Sequence, residues 1–372
     1  MDWEVLARLP QAAVRRRGRF IVADLSEDHL VITTSVVNGG RSDRLRHLVN
    51  HQCCEGKDHN DRFHATIAET YHDEVCAEIG VPPERTAIMA TAANMNYAAC
   101  SSKSDVDVEV LAVVTAGVET NAICAGDPAS SRETSDGVEP IMPVGTINTI
   151  LLCNTPLSEA ALARTIITMT EAKSAALARL AAPSCYSPDL ATGTGTDQYC
   201  IAAPLDGRRT LKFASPHVKL GEIVGLAVRE ATLEALRWQN GLEASYTRGL
   251  FHALGRYGIK ESTIYERLAP LLEAGELELL RKNNKAIFFE PLVGAAAHAT
   301  AAVLDRARYG TLPVSAVKDA VAQQGASLAA SLAGKPDRWP HYRAVLHAAS
   351  VEQPVDLIVH AIALGWSEKW KA

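Results

Sequence analysis

Short runs of β-branched and apolar residues alternate with helical patterns along the first two thirds of the chain. Runs of strand length bounded by turn-forming residues predict β-strands at 19–25, 30–37, 86–92, 106–115, 145–153 and 196–203. Apolar positions at helical spacing predict helices at 43–49, 64–79, 158–180 and 220–238. This mixture favours an α/β domain with layers of sheet and helix, and a mixed α+β arrangement stays open.

The pattern changes near Asn240 and Gly241, after which helical spacing dominates. Helices are predicted at 246–257, 261–274, 295–308, 315–333 and 355–370. Residues 276–290 instead predict a β-hairpin whose turn contains Asn283 and Asn284. The sequence therefore predicts two domains, one at 1–242 and a smaller, mostly helical one at 245–372.

The composition is that of an ordinary globular protein. The 372 residues carry 37 Lys and Arg against 43 Asp and Glu, a formal net charge of −6, and 47% of them are apolar. This mildly acidic balance disfavours a polyphosphate-binding surface and nucleic acid as a partner. The amino terminus has acidic residues where a signal peptide has basic ones, so we expect a cytoplasmic protein without a membrane segment.

The eight cysteines include no Cys-x-x-Cys pair, which disfavours a standard zinc ribbon and a thioredoxin-type redox motif. Cys53 lies in a polar, histidine-rich stretch that starts at Asn50 and His51 and extends to His59 and His64. Three interpretations of this stretch stay open: a thiolate nucleophile beside a histidine, a metal site, and a polar loop with one cysteine beneath it.

Small and polar residues gather in loops at the ends of the predicted strands. Glycine lets the backbone approach a ligand, while Thr, Asn and Asp make directional hydrogen bonds. The loops are Asn38-Gly39-Gly40, Thr115-Ala116-Gly117, Gly145-Thr146-Ile147-Asn148 and Ala191-Thr192-Gly193-Thr194-Gly195-Thr196-Asp197. The last one lacks the G-x-G-x-x-G spacing of a dinucleotide-binding loop. Because ligands of layered α/β domains collect at strand ends, all four are candidate binding loops.

Titratable side chains lie on two of the predicted helices. Glu171 and Lys173 are two residues apart on the helix at 158–180 and point to different faces, so one of them is expected to face the sheet. His217, Lys219 and Glu222 lie where a loop enters the next helix. An imidazole there suits general acid–base catalysis, whereas a glutamate in a first turn suits the helix dipole.

In order along the chain, these motifs resemble those of the adenosylcobinamide amidohydrolases. The matching motifs are Asn38-Gly39-Gly40, Asn50-His51, Thr115-Ala116-Gly117, Ala125-Gly126-Asp127, Gly145-Thr146-Ile147-Asn148, Thr170-Glu171-Ala172-Lys173, Ala191-Thr192-Gly193-Thr194-Gly195-Thr196-Asp197 and His217-Val218-Lys219-Leu220-Gly221-Glu222. The resemblance covers residues 20–240 and does not reach the C-terminal domain. It implies corrinoid salvage, in which the amide between the corrin ring and the aminopropanol arm of adenosylcobinamide is cleaved to adenosylcobyric acid and an amino alcohol. Some such enzymes act on complete cobamides.

For that chemistry the chain must supply an activated nucleophile, a stabilised oxyanion and a proton for the leaving amine. The candidate catalytic residues are Asp197, His217, Glu171, Lys173, Cys53 and His51. The candidate substrate-binding residues are Asn38, Gly39, Asn50, Thr115, Asn148, Thr192, Thr194, Thr196, Lys219 and Glu222. Asp197 or Glu171 would activate water and His217 would protonate the amine, while water, Cys53 and a threonine stay open as the attacking group.

The resemblance implies a small-molecule corrinoid as the partner. No cofactor is required and no metal ligand is assigned, because the corrinoid carries its own cobalt. Self-association into a homo-oligomer stays open. We expect a single cleft in which the loop at 192–197 faces the segment 217–219. The helix at 158–180 would approach it from one side and residues 50–51 from the other.

The C-terminal domain offers an alternative function. Two helices followed by a hairpin is the order of a winged helix, which suggests a corrinoid-sensing DNA-binding regulator. Residues 245–290 carry seven Lys or Arg against six Glu, a net charge of only about +1, whereas phosphate contacts need clustered basic residues. The charge pattern therefore favours the amidohydrolase.

Overall fold

The computed structural model describes residues 2–54, 67–129, 132–134, 137–139 and 145–371. The chain divides into two units, Met1–Leu242 and Glu243–Ala372. Each unit has buried hydrophobic clusters made from its own residues.

The described part of the first unit contains strands and three longer helices. In chain order the strands are β1 (Glu4–Leu9), β2 (Ala12–Arg17), β3 (Phe20–Leu25), β4 (His29–Thr33), β5 (Gly40–Ser42), β6 (His47–Gln52), β7 (Thr86–Thr91), β8 (Ala99–Asp105), β9 (Val108–Ala116), β10 (Ala122–Ile123), β11 (Arg132–Thr134), β12 (Gly137–Glu139), β13 (Ile147–Cys153), β14 (Gly193–Thr194) and β15 (Gln198–Pro204). The helices are α1 (Ala68–Ile79), α2 (Glu159–Arg179) and α3 (Lys219–Asn240).

The strands form two main sheets. The first sheet has the order β1-β2-β3-β6-β7, and the second has the order β5-β4-β15-β13-β9-β8. Neighbouring strands are antiparallel except β6 with β7 and β13 with β15, which are parallel. A parallel pair needs a crossover connection, and α2 lies in the one between β13 and β15.

The two sheets pack face to face through alternate residues of their strands. Leu48 and Met89 of the first sheet belong to the same buried cluster as Leu111 and Ile150 of the second. The second sheet packs its other face on α2 and α3, and the first sheet packs its outer face on α1 through residues such as Val49. The resulting four layers, helix, sheet, sheet and helix, confirm the predicted layered α/β class.

The two long helices of this unit begin and end where the sequence predicts. The Ser158 side chain accepts a hydrogen bond from the backbone N–H of Ala161 at 3.2 Å, and so caps α2. At the other boundary, α3 ends at Gly241, which has a φ of 63°. This left-handed conformation suits glycine, which explains the change of pattern at this point.

The helix predicted at 43–49 is wrong. The structure has β6 there, between β3 and β7, with Leu48 buried between the sheets and Val49 buried against α1. A strand buried on both faces lacks the apolar–polar alternation that identifies a half-buried strand, so its pattern is easily taken for a helix. Of the helix predicted at 64–79, residues 64–66 lie outside the described residues, and α1 accounts for the remainder.

The second unit contains only helices in its described part. They are α4 (Ala244–Thr247), α5 (Leu250–Leu254), α6 (Ile264–Leu268), α7 (Ala274–Lys282), α8 (Asn284–Phe288), α9 (Pro291–Arg308), α10 (Val314–Ala333), α11 (Trp339–Ala348) and α12 (Asp356–Lys369). Close approach of α10 and α12 requires a small residue, because a Cβ on Gly365 would lie 2.6 Å from the carbonyl oxygen of Ala329. No helix among the described residues of either unit is long and apolar enough to cross a membrane.

The hairpin predicted at 276–290 is also wrong, because α7 and α8 occupy this segment. Glu273 and Glu276 form a capping box at the start of α7, and Leu280 and Phe288 are buried. Capping and one-sided burial stabilise helices here, and the paired asparagines link two helices instead of two strands. The helix, helix and hairpin order of a winged helix is therefore not present in the described part of this unit.

Two glycines one turn apart on α3 provide a test of the packing between this helix and the segment that precedes it. An added Cβ at Gly221 would lie 1.9 Å from the carbonyl oxygen of Ser215, whereas nothing lies within 4 Å at Gly225. We expect Gly221→Ala to lower the free energy of unfolding by about 2 kcal/mol through overpacking. Gly225→Ala should raise it by roughly 0.5–1 kcal/mol through helix propensity. Urea unfolding, with hydrogen exchange of the α3 amides, measures both effects, and equal stabilities would contradict the close approach.

Candidate active site

A buried polar network lies between the two sheets, at one end of their strands. Asn50 Nδ2 donates a hydrogen bond to Thr115 Oγ1 at 2.8 Å, and Asn148 Nδ2 donates to Asn50 Oδ1 at 2.9 Å. Asn148 Nδ2 also donates to the carbonyl oxygen of Ala90 at 3.1 Å. The three side chains are buried, and their hydrogen bonds offset the cost of removing them from water. The structure thus brings together three predicted substrate-binding residues, from β6, β9 and β13.

An ion pair links α2 to the loop that precedes β15. The Lys173 ammonium binds the Asp197 carboxylate, and the two side chains are only 15% and 18% exposed. Glu171, two residues earlier on the same helix, is exposed. Lys173 is therefore the member of the Glu171 and Lys173 pair that turns toward the sheet.

The Asp197 carboxylate collects further donors. Its Oδ1 accepts hydrogen bonds from Thr194 Oγ1 at 2.5 Å and from the backbone N–H of Ile147 at 3.0 Å. The backbone N–H of Thr194 donates to its Oδ2 at 3.1 Å. With Lys173 this makes four donors on a group that has about four acceptor sites. The geometry favours Asp197 as a positioning residue rather than the base that activates water, since a base needs a free acceptor site.

The loop before β15 depends on a glycine beside this ion pair. A Cβ at Gly193 would lie 2.4 Å from Asp197 Oδ2 and 2.7 Å from Lys173 Nζ. Thr192 holds the loop on both sides, because its carbonyl oxygen accepts from Ser174 Oγ and its hydroxyl accepts from a backbone N–H, each at 2.9 Å. After Thr194, the two residues Gly195 and Thr196 are exposed, and they form a rim at the end of the sheets.

A further pair of donors converges on a backbone carbonyl at the start of β13. Asn121 Nδ2 donates to the carbonyl oxygen of Gly145 at 2.8 Å, and Thr196 Oγ1 donates to the same oxygen at 2.9 Å. Tyr186 donates its hydroxyl proton to Asn121 Oδ1 at 3.1 Å. Sequence reasoning missed Asn121, because an asparagine in a loop is a weak signal and only the fold shows what its amide faces.

Thr146 connects this donor pair to the polar network. Its Oγ1 donates to the carbonyl oxygen of Thr196 at 2.6 Å and lies 3.3 Å from Asn148 Oδ1. The segment from Gly145 to Asn148, the loop before β15 and the Lys173 ammonium therefore form one continuous site.

His51 does not belong to this site. It follows Asn50 on β6 and so points to the other face of the first sheet. There it stacks on Phe20, with ring centroids 4.6 Å apart, and its Nδ1 lies 2.5 Å from the hydroxyl of Tyr71 on α1. Asn50 and His51, which we expected on the same side of a cleft, face opposite layers because adjacent strand residues alternate.

Cys53 is buried, and its Sγ lies 3.4 Å from Sγ of Cys54 and 3.4 Å from the carbonyl oxygen of Thr91. The hydrogen bond with Cys54, together with burial, raises the pKa of Cys53, and the same hydrogen bond lowers the pKa of Cys54. Cys53 is therefore held as a thiol at neutral pH, whereas the thiolate is the nucleophilic form. The geometry does not favour Cys53 as the attacking group.

His217, Lys219 and Glu222 lie at the opposite end of the second sheet. Lys219 forms an exposed ion pair with Glu222 at 2.8 Å. It lies near Asp105, which is the strand partner of the first residue of β9. Asn240, the last residue of α3, accepts a hydrogen bond through its Oδ1 from a backbone N–H of the segment that follows β9. That segment lies at the end of the second sheet that holds the polar network. The 22 residues of α3 span about 33 Å. Among the described residues no hydrogen bond or ion pair joins the loop before β15 to His217 or Lys219, so the structure does not bring them together in the expected cleft.

Asn38 connects the β4–β5 hairpin to the segment around β7, and Gly39 lies against the backbone of the hairpin itself. Asn38 Nδ2 donates to the carbonyl oxygens of Pro83 at 2.9 Å and Thr86 at 2.8 Å. A Cβ at Gly39 would lie 2.0 Å from the carbonyl oxygen of Ser35. These contacts give both residues a role in the fold, and the structure does not join them to the polar network.

A metal centre requires several ligating side chains to converge. Within 2–54, 67–129, 132–134, 137–139 and 145–371, no group of three His, Cys, Asp or Glu side chains is placed to hold a metal ion. His59 and His64, from the histidine-rich stretch, lie outside the described residues. The metal interpretation of that stretch stays a prediction.

Removing one partner of the Lys173–Asp197 pair leaves a mostly buried charge without its counter-ion. We expect Asp197→Asn to lower the free energy of unfolding by about 3 kcal/mol. Adding Lys173→Met to that variant should recover part of the loss. Asp107 pairs with Arg209 in a half-exposed position, so the matched control Asp107→Asn should cost about 1 kcal/mol or less. Urea unfolding measures the free energy of unfolding of these variants. Equal losses of stability for Asp197→Asn and Asp107→Asn would contradict this account.

The opposite pKa shifts of the neighbouring cysteines predict an order of reaction. Because the pKa of Cys54 is lowered and that of Cys53 is raised, Cys54 forms its thiolate at a lower pH. Iodoacetamide should therefore alkylate Cys54 first as the pH rises, which peptide mass spectrometry measures over a pH series. Earlier alkylation of Cys53 would instead support it as a thiolate nucleophile.

Known proteins resemble this chain to different degrees. An uncharacterized protein of Methanocaldococcus jannaschii is 34% identical over 183 residues, a match that covers 46% of this chain and 71% of that protein. The crystal structure of the PH0078 protein from Pyrococcus horikoshii OT3 matches with a TM-score of 0.30 and 12% identity, over 63% of this chain and 82% of that one. A β-aminopeptidase of a Burkholderia species matches with a TM-score of 0.31 and 14% identity, over 62% of this chain and 82% of that one.

The family model described as adenosylcobinamide amidohydrolase matches residues 6–244. The matched range contains all of the motifs that carry the sequence resemblance, and it confirms that the resemblance is confined to the N-terminal two thirds. The chain belongs to the adenosylcobinamide amidohydrolase family.

Proposed function

We propose that the first unit hydrolyses the amide between the corrin ring and the aminopropanol arm of adenosylcobinamide, or the same bond in complete cobamides. The products are adenosylcobyric acid and an amino alcohol. Family membership supports amide hydrolysis as the class of reaction, and the corrinoid substrate is what we propose. The observation that carries the proposal is the Lys173–Asp197 pair, held beside an exposed rim and next to the polar network.

The exposed rim suits a substrate that is rich in amides. A corrin ring is surrounded by amide side arms, which both donate and accept hydrogen bonds. Gly195 and Thr196 are exposed at the rim, where glycine allows close contact with the backbone. Substrate arms that bind there would place a ring amide near the Lys173 ammonium.

Amide hydrolysis develops negative charge on the carbonyl oxygen and needs a proton for the departing amine. Lys173 lies at the rim as a cation, and Asp197 holds its ammonium in place before substrate binds. His217, expected to protonate the amine, is exposed just before α3, and among the described residues no hydrogen bond or ion pair joins it to this pair. We therefore assign charge stabilisation and proton donation to Lys173.

The proposal requires no cofactor and no metal held by the protein. Hydrolysis consumes only water, and the corrinoid brings its own cobalt. The proposal keeps the cytoplasm as the place of the reaction and a small-molecule corrinoid as the partner.

Incubation of the purified protein with adenosylcobinamide should release adenosylcobyric acid and aminopropanol, both detectable by mass spectrometry. Lys173→Met should lower turnover by about 10²-fold or more, the scale for losing a positioned charge or acid–base group. Lys103 pairs with Glu230 on α3, and Lys103→Met is the matched control that should leave turnover unchanged. His217→Gln should also keep the natural rate, because His217 is exposed and no described hydrogen bond or ion pair joins it to the rim.

Two results would contradict this assignment in different ways. If the natural protein released no adenosylcobyric acid, the proposed substrate would be wrong. If His217→Gln lost turnover while Lys173→Met kept it, the active site would lie at the start of α3.

A further inference from the structure

Two side-chain donors aim at the backbone carbonyl of Gly145. Asn121 Nδ2 lies 2.8 Å from the carbonyl oxygen, and Thr196 Oγ1 lies 2.9 Å from it. Donors at these distances stabilise an oxyanion when the carbonyl that they hold is attacked. Asn121 is fully buried, so its donor is kept in place away from bulk water.

The residue after this carbonyl can attack it. The Thr146 hydroxyl reaches the carbonyl carbon of Gly145 by closing a five-membered ring through its own Cβ, Cα and nitrogen. The carbonyl lies in a crowded place, since a Cβ at Gly145 would be 3.1 Å from Cβ of Asn121 and 3.3 Å from the carbonyl oxygen of Gly117. Glycine lets the backbone approach both donors, whereas a larger residue would press against its neighbours.

Thr146 is held from several directions. Its side chain is buried, and its hydroxyl donates to the carbonyl oxygen of Thr196 at 2.6 Å. The next backbone N–H, that of Ile147, donates to the Asp197 carboxylate. The attacking group and the attacked carbonyl are therefore both positioned by contacts to the loop before β15.

We propose that the chain cleaves its own peptide bond between Gly145 and Thr146. Thr146 Oγ1 forms a bond to the Gly145 carbonyl carbon, the C–N bond breaks, and the hydroxyl proton is transferred to the nitrogen. The product is an ester with a free α-amino group on Thr146. Water then attacks the ester carbonyl, the C–O bond breaks, and the hydroxyl of Thr146 is restored. One water is consumed, and the chain ends are a carboxylate at Gly145 and an amino group at Thr146.

Cleavage also provides the nucleophile for amide hydrolysis, and this extension rests on the proposed function. An amino-terminal threonine has its amine next to its hydroxyl, so the amine can accept the hydroxyl proton during attack on a substrate amide. Once the Gly145 carbonyl leaves, the donors on Asn121 and Thr196 are free to bind the oxyanion of the substrate. Among the open choices of water, Cys53 and a threonine, the inference selects Thr146.

Intact mass spectrometry of the freshly purified full-length protein tests the cleavage. We expect two fragments, 1–145 and 146–372, the second starting with Thr-Ile-Asn-Thr. Thr146→Ala should remain one chain and Thr146→Ser should be cleaved, faster when hydroxylamine is added to attack the ester. Asn121→Ala should slow cleavage by about 10²-fold, as expected for one lost oxyanion donor. Thr149→Val, at another buried threonine of β13, should be cleaved like the natural chain.

The proposal is overturned if both the natural protein and Thr146→Ser remain uncut. It is equally overturned if Thr146→Ala is cut at the same bond, because a protease would then be responsible. The measurement needs no corrinoid. If the protein is cut but does not hydrolyse adenosylcobinamide, the proposed function is refuted and the self-cleavage stands. If the protein is uncut but hydrolyses adenosylcobinamide, the self-cleavage is refuted and the proposed function stands.

Discussion

Polar side chains buried between two sheets must find hydrogen-bond partners, and this constraint shapes the end of the first unit that holds the candidate site. Further along the strands the gap is filled by apolar residues such as Leu111 and Ile150, whose packing is not directional. At the site, Asn148 reaches both Asn50 and the backbone of β7, so β13 is tied to the first sheet. An unpartnered amide here would cost far more than a lost contact. The position of the Gly145–Thr146 segment, next to β13, follows from this network.

The ion pair of Lys173 and Asp197 places charge beside the network. Asp197 accepts from α2, from the loop before β15 and from the backbone of β13, so one carboxylate joins three parts of the fold. Because the pair is mostly buried, the Lys173 ammonium is screened less by water than a surface lysine is. The exposed pair of Lys219 and Glu222 lacks this property, since exposed pairs contribute little. Burial, more than residue type, distinguishes the lysine that suits catalysis.

The second unit stands apart from this chemistry. The family match ends at residue 244, and the unit has a helical core of its own. Within it, Arg256 binds both oxygens of Asp305 at 2.6 and 2.7 Å, and the Tyr257 hydroxyl donates to the same carboxylate. Such a satisfied, largely buried pair joins α9 to the segment after α5. The residues that carry the proposed reaction all belong to the first unit.

The hydrophobic pattern alone was sufficient to predict the helices and strands that bury one face and have clear ends. Ser158 and Gly241 mark such ends for α2 and α3, and the order of the motifs identified the family. The same reasoning failed for β6, which is buried on both faces, and for 276–290, where a pair of asparagines precedes a helix.

By itself the sequence determined three helices and six strands of the first unit, its layered class and its family, and it named Asp197, Lys173 and Asn148 as candidate site residues. Periodicity and motif order encode which face of a segment is buried, but they do not encode what covers that face. Only the tertiary structure decided that Asn50 and His51 serve different layers, that Asn121 faces the Gly145 carbonyl, and that Lys173 rather than Glu171 turns toward the sheet. These facts depend on how the sheets and helices stack, which is set by contacts between segments distant in the chain.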